Sequence, residues 1–100
     1  MRLLYRAYAC ENRDDAGKIL LPGYLVPTTA RRLQPGETLH IELVDGTRLQ
    51  TRVLKTQNVA FDESTAERLR TKPGFHCAVI VPDDFDPPGI ALGADVYVDE

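Results

Sequence analysis

PGETLHIELVDGTRLQTRV, running from Pro35 to Val53, is the stretch whose reading decides the fold. Leu39, Ile41 and Leu43 alternate with Thr38, His40 and Glu42, the period of two that gives a strand one buried face. Asp45-Gly46 is a hairpin signal, and the loop length follows from where the apolar side chains must go. A two-residue loop sets Leu43 against Arg48, Ile41 against Gln50 and Leu39 against Arg52, which puts charge on the buried face. A three-residue loop, Val44-Asp45-Gly46, shifts the pairing by one and turns the return strand over. Leu43 then meets Thr47, Ile41 meets Leu49 and Leu39 meets Thr51, while Glu42–Arg48, His40–Gln50 and Thr38–Arg52 form the outer face. Gly46 falls at the third loop position, where a type I turn closing in a G1 bulge requires a left-handed residue.

Working outward, Gln34-Pro35-Gly36-Glu37 fits a type II turn, with Pro35 fixing φ and Gly36 supplying a positive one. The hairpin runs out near Thr56–Ala60. Arg2–Ala9 reads as a first strand and Glu11–Gly17 as a polar loop. Lys18–Val26 is apolar but broken by Pro22-Gly23, so a bend is expected there. Thr28–Arg32 is too short to assign. Ser64 and Glu67 have the spacing of a capping box for one short helix over Thr65–Thr71, which Pro73-Gly74 terminates. Phe75–Val81, FHCAVIV, reads as a central strand buried on both faces in its second half. Pro82–Gly89 is a rigid acidic loop, Gly93 marks a turn or bulge, and Asp95–Val98 is a final strand. The Pro-Gly pairs recur at no fixed period, so the chain is not a solenoid.

These elements predict a mostly β fold: a small closed or nearly closed antiparallel barrel of roughly six to seven strands with one short helix near residues 65–71. With 100 residues and 43% apolar content, the expectation is one domain over residues 1–100. No apolar run approaches a membrane span, and MRLLYRAYACENR does not read as a secretory leader. Cys10 and Cys77 are the only cysteines, too few for a disulfide scaffold, and both are expected to be reduced in a cytoplasm. The net charge of −3 is uneven, because residues 73–100 carry six acidic and no basic side chains. That balance disfavours a general nucleic-acid binder but leaves room for a local basic patch.

The order of features resembles the translation-protein β-barrel, the second domain of translational GTPases such as elongation factor Tu. The resemblance rests on Leu33-Gln34-Pro35-Gly36-Glu37-Thr38-Leu39, the hairpin after it, Gly74–Val81, and Ile90-Ala91-Leu92-Gly93-Ala94-Asp95-Val96, and covers roughly residues 17–98. It implies a barrel that contacts RNA or partner domains. The GxxxxGK[ST] phosphate loop of the GTPase domain is absent, so no nucleotide site is implied.

Cys10, Cys77, His40 and His76 match no zinc spacing, and both histidines are expected on the surface. Cys77 lies in an apolar run, which raises a thiol's pKa rather than activating it. Asp83, Asp84 and Asp86 lack an EF-hand pattern and are interrupted by Pro87-Pro88. No catalytic residue, metal site or cofactor is therefore assigned. The residues assigned to partner binding are Arg48 and Arg52 on the outer hairpin face, Arg31 and Arg32 before it, and Phe85, with Arg68, Arg70 and Lys72 available to extend a basic patch. The other aromatic residues are expected in the core; Phe85, on its acidic loop, either plugs the barrel end or anchors a partner. The expected function is a non-catalytic binding domain for a protein, with RNA less favoured because the hairpin lacks exposed aromatic residues for stacking. The alternatives are a metal-dependent enzyme using Asp83–Asp86 and a structural subunit of a larger complex.

Overall fold

The structure, a computed structural model, describes residues 1–13, 17–25 and 33–99. The predicted hairpin forms from β4 (Thr38–Leu43) and β5 (Arg48–Arg52), paired Thr38–Arg52, Leu39–Thr51, His40–Gln50, Ile41–Leu49 and Glu42–Arg48. The loop has three residues: the Leu43 amide donates to the Thr47 carbonyl, and the Gly46 amide to the Leu43 carbonyl, both at 2.9 Å. Gly46 has φ of 90°, and the Asp45 carboxylate accepts from the Thr47 amide at 2.9 Å. Upstream, the Glu37 amide donates to the Gln34 carbonyl at 3.2 Å with Gly36 at φ 91°, as the turn chemistry predicts.

β4 also pairs with β8 (Ala94–Val98), and β8 with β1 (Arg2–Ala7), giving a first antiparallel sheet ordered β1-β8-β4-β5. A second antiparallel sheet is ordered β2-β3-β7-β6, from Ala9–Asn12, Lys18–Leu25, Gly74–Val81 and Lys55–Phe61. Only Tyr8 separates β1 from β2, and only Val53 and Leu54 separate β5 from β6. Two chain segments thus pass directly from one sheet to the other. A single 3-10 turn, Ile90–Leu92, precedes β8.

The inner faces meet in a core that includes Leu20, Leu39, Ile41, Val79, Val81 and Val96, none more than 1% exposed. Each such side chain contributes roughly 1.5–3 kcal/mol on leaving water. The outer face of the second sheet buries Ile19, Leu21, Ala78 and Ile80 against Leu69, at the end of helix α1 (Glu63–Arg68). Within β7, Val79 and Val81 serve the first core and Ala78 and Ile80 the second, so the strand is buried on both faces.

Several expectations are corrected. The helix starts at Glu63, and its cap is Asp62, whose carboxylate accepts from the Thr65 amide at 2.8 Å. Ser64 lies inside the first turn; an ionised acceptor two residues earlier takes the amide at the third helical position. The helix ends well before Pro73: the Thr71 amide donates to Ala66 and the Arg70 amide to Glu67, with Arg70 at φ 56°. These are the two bonds of a Schellman motif, with arginine where glycine is usual. The expected strand Arg2–Ala9 is two strands that part at Tyr8, and Glu11 and Asn12 belong to β2 rather than to a loop. The end of the hairpin, Thr56–Ala60, is instead part of a full strand.

His76 is buried rather than exposed, because the pleat of β7 turns it beneath Thr71. Its Nε2 lies 3.0 Å from the Thr71 hydroxyl, and its ring packs 5.1 Å from that of Phe61. Phe75, one residue earlier, takes the other face and is 67% exposed, contrary to its expected place in the core. The bend at Pro22 is present as a register shift between Leu20 and Tyr24. Gly23 there leaves no space for a side chain, since a Cβ would fall 2.4 Å from the Cys77 carbonyl oxygen. The segment Thr28–Arg32 lies outside the described residues.

Candidate functional site

The outer face of the first sheet follows from strand parity: every second residue of β1, β8, β4 and β5 faces outward. One row across the sheet reads Arg6, Asp95, Glu42, Arg48. The Arg6 Nε donates to Asp95 at 2.7 Å and the Arg48 Nε to Glu42 at 3.0 Å. Its hydrogen bond to the Asp95 carboxylate stabilises the protonated Arg6 guanidinium and raises its pKa further. These pairs are solvated at the arginine end, so their net contribution to stability is small. The next row carries Tyr97, His40 and Gln50. His40 Nε2 lies 3.1 Å from an Asp99 oxygen, and Gln50 Nε2 lies 3.4 Å from His40 Nδ1. An open groove of about 760 Å³ runs over this row, lined by Met1, His40, Glu42, Arg48, Gln50 and Tyr97.

A second depression, of about 450 Å³, adjoins it through Gln50. Thr38, Gln50, Thr51 and Arg52 form one wall, and Pro82, Asp84 and Phe85 the other. Two of the residues assigned from sequence, Arg52 and Phe85, therefore line the same depression. Arg48 sits in the adjoining groove, committed through its Nε to Glu42. Arg31 and Arg32 lie outside the described residues. Arg70 does not extend this surface; its guanidinium stacks over the Tyr8 ring, 5.2 Å from the centroid. The Phe85 ring is half-buried against the core between the sheets, and the backbone turns there through a bond from the Phe85 amide to the Pro82 carbonyl at 3.1 Å. The ring thus packs inward while still forming part of the depression wall.

The acidic loop sends its carboxylates to different places. Asp83 accepts from the Gly17 amide, Asp86 pairs with Lys18 Nζ at 3.6 Å, and Asp84 faces the depression. Among the described residues, no three His, Cys, Asp or Glu side chains come close enough to hold a metal ion. Cys10 and Cys77 are both free thiols. Burial raises the pKa of Cys10, which disfavours the thiolate a nucleophile needs. No helix among the described residues is long and apolar enough to cross a membrane.

Gln50, Tyr97 and Pro82 are site residues that side-chain chemistry did not single out. Parity in the hairpin already places Gln50 between Arg48 and Arg52. Pro82 carries a signal of its own, since it lacks the amide needed to continue a ladder. No protein family, curated protein or solved structure matches this chain.

Proposed function

We propose that this chain is a non-catalytic binding domain that recognises a protein partner through the outer face of the β4–β5 hairpin and the neighbouring Pro82–Phe85 loop. The observation that carries the reading is the depression that Arg52 and Phe85 both line, a cation and an apolar ring beside an edge strand. That combination matches the arginine and aromatic anchors enriched at protein interfaces. The divergent directions of Asp83 and Asp86 favour binding over metal-dependent hydrolysis. We further read the two sheets as one nearly closed antiparallel barrel, open along β5, because the chain passes from each sheet to the other through both of its edge strands. This reading is in keeping with the resemblance to the translation-protein barrel. Two free thiols accord with a cytoplasmic setting.

The test is a pull-down from cell extract with and without RNase, comparing the wild type with Arg48→Glu/Arg52→Glu. Capture of a protein by the wild type alone, unchanged by RNase, is the expected result. Capture abolished by RNase would replace the protein partner with RNA. Equal capture by both proteins would remove the hairpin face as the site.

A further inference from the structure

The backbone beside the depression carries more information than its side chains. Along the segment shared by β5 and β6, successive amides point to opposite sides. The Val53 amide donates to the Glu37 carbonyl at 2.9 Å, toward β4, whereas the Leu54 amide donates to the Ile80 carbonyl at 2.8 Å, toward β7. The bond from the Leu43 amide to the Thr47 carbonyl sets the same phase at the other end of β5. In an antiparallel ladder this alternation turns the main-chain N–H and C=O of Arg48, Gln50 and Arg52 away from β4. These groups continue the row that β7 satisfies at Leu54. β7 ends at Val81, and Pro82, which has no N–H, cannot prolong it. Among the described residues, β5 has no strand neighbour on that side, and no main-chain bond closes on Arg48 or Gln50 there. The depression between Gln50, Arg52, Pro82 and Phe85 occupies the place that β7 leaves.

On the basis of the binding-domain reading, we infer that the partner presents an extended acidic segment that adds, as an antiparallel strand, to the edge of β5 that has no strand neighbour among the described residues. Main-chain bonds to Arg48, Gln50 and Arg52 supply the affinity, and side chains supply the selection, as in strand addition generally. Residues of the added strand that share the outer face stand opposite Arg52, Gln50 and Arg48, so acidic groups four residues apart meet the two arginines. Arg52 forms no ion pair among the described residues. The intervening residues face Pro82 and Phe85 and are apolar. Asp84, at the rim, disfavours acidic residues at these intervening positions. A second copy of this chain is a poorer occupant: antiparallel pairing of two β5 strands about Gln50 sets Arg48 against Arg52 of the other copy. The same arginines guard the edge against such self-pairing.

The test follows the main-chain amide chemical shifts of β5 in the intact chain during titration with acetylated, amidated five-residue peptides. Glu-Val-Thr-Val-Glu is expected to bind with shifts centred on Gln50, and Lys-Val-Thr-Val-Lys is expected not to. N-methylation at the central threonine, whose amide points at β5, is expected to weaken binding about tenfold or more. N-methylation at either valine, whose amide points outward, is expected to have little effect. Gln50→Pro removes the matching donor on the protein without removing a bond to β4, and is expected to weaken binding similarly; should that variant fail to fold, the methylated peptides still decide. Equal binding of both methylated forms would overturn strand addition, and absence of saturable binding by Glu-Val-Thr-Val-Glu would overturn the inference entirely. In that last case, a pull-down that still depends on Arg48 and Arg52 would leave the binding-domain reading standing.

Discussion

The hydroxyl of Tyr5, on the first sheet, donates to the carbonyl of Leu20, on the second, at 2.8 Å. The same oxygen accepts from the Val79 amide at 3.2 Å. Leu20 and Val79 are paired at the point where β3 bulges away from β7, so the hydroxyl serves two main-chain groups beside a break in the ladder. Tyr5→Phe leaves both without that partner, and a loss of about 1–3 kcal/mol is expected. Thermal or urea unfolding measures it.

Tyr5 also gives a pH signature. Burial raises its pKa above the ordinary phenol value, the main-chain bond to Val79 opposing this only partly. A group whose folded pKa is raised contributes stability that is fully present below its unfolded pKa and lost as pH rises toward the folded one. Stability is therefore expected to fall above about pH 10, with a shallower alkaline slope in Tyr5→Phe. Denaturant midpoints across that range test the sign.

Gly46 and Gly23 both have positive φ, 90° and 96°, but not the same surroundings. A Cβ at Gly46 meets nothing within 4 Å, whereas one at Gly23 meets the Cys77 carbonyl oxygen at 2.4 Å. Gly46→Ala is expected to cost about 1 kcal/mol, from left-handed strain alone, and Gly46→Val at least as much. Gly23→Ala adds a collision with main chain and is expected to cost about 3 kcal/mol or more, or to prevent folding. Equal unfolding midpoints for Gly46→Val and wild type would remove the three-residue loop from the account.

The helix start distinguishes two candidate caps. Asp62→Ala is expected to lower the melting temperature, and Ser64→Ala to leave it nearly unchanged, because only Asp62 accepts the Thr65 amide. That bond lowers the Asp62 pKa. Its contribution is present above the unfolded carboxylate pKa and is lost as pH falls through the lower folded value. The difference between wild type and Asp62→Ala should accordingly shrink in acid, which melts at neutral and low pH will reveal.

At the other end of the helix, Arg70 combines a left-handed backbone with a guanidinium over Tyr8. Removing the side chain loses the stacking in both Arg70→Ala and Arg70→Gly, so comparing the two isolates the backbone. Arg70→Gly is expected to be the more stable by about 1 kcal/mol. Parallel unfolding curves of the two variants measure the difference.

The hairpin was legible because one buried face and one glycine leave a single register in which Ile41 and Leu49 point the same way. The outward direction of Arg48 and Arg52 follows from that register alone. The passage of one strand between sheets at Tyr8, and of another at Val53-Leu54, has no comparable local mark. KTQNVAF also hides its strand, since Lys55, Gln57, Asn58 and Ala60 are exposed and the pairing is supplied by β7. The burial of His76 has no local mark, because FHC offers no alternation and burial there depends on Thr71 and Phe61 arriving from elsewhere. The sharing of one depression by Arg52 and Phe85 likewise depends on β7 returning beside β6, a long-range pairing that composition does not encode.

Val53 and Leu54 are adjacent in sequence yet tethered in opposite directions, one to Glu37 and the other to Ile80. That two-residue seam makes β5 and β6 a single mechanical beam rather than two independent ribbons. Ordering of the hairpin rim by an added strand is therefore expected to extend across the seam to the floor beneath the helix. Slowed amide hydrogen exchange on loading the rim should therefore spread beyond Arg52 into Lys55–Phe61, on a sheet the load never touches.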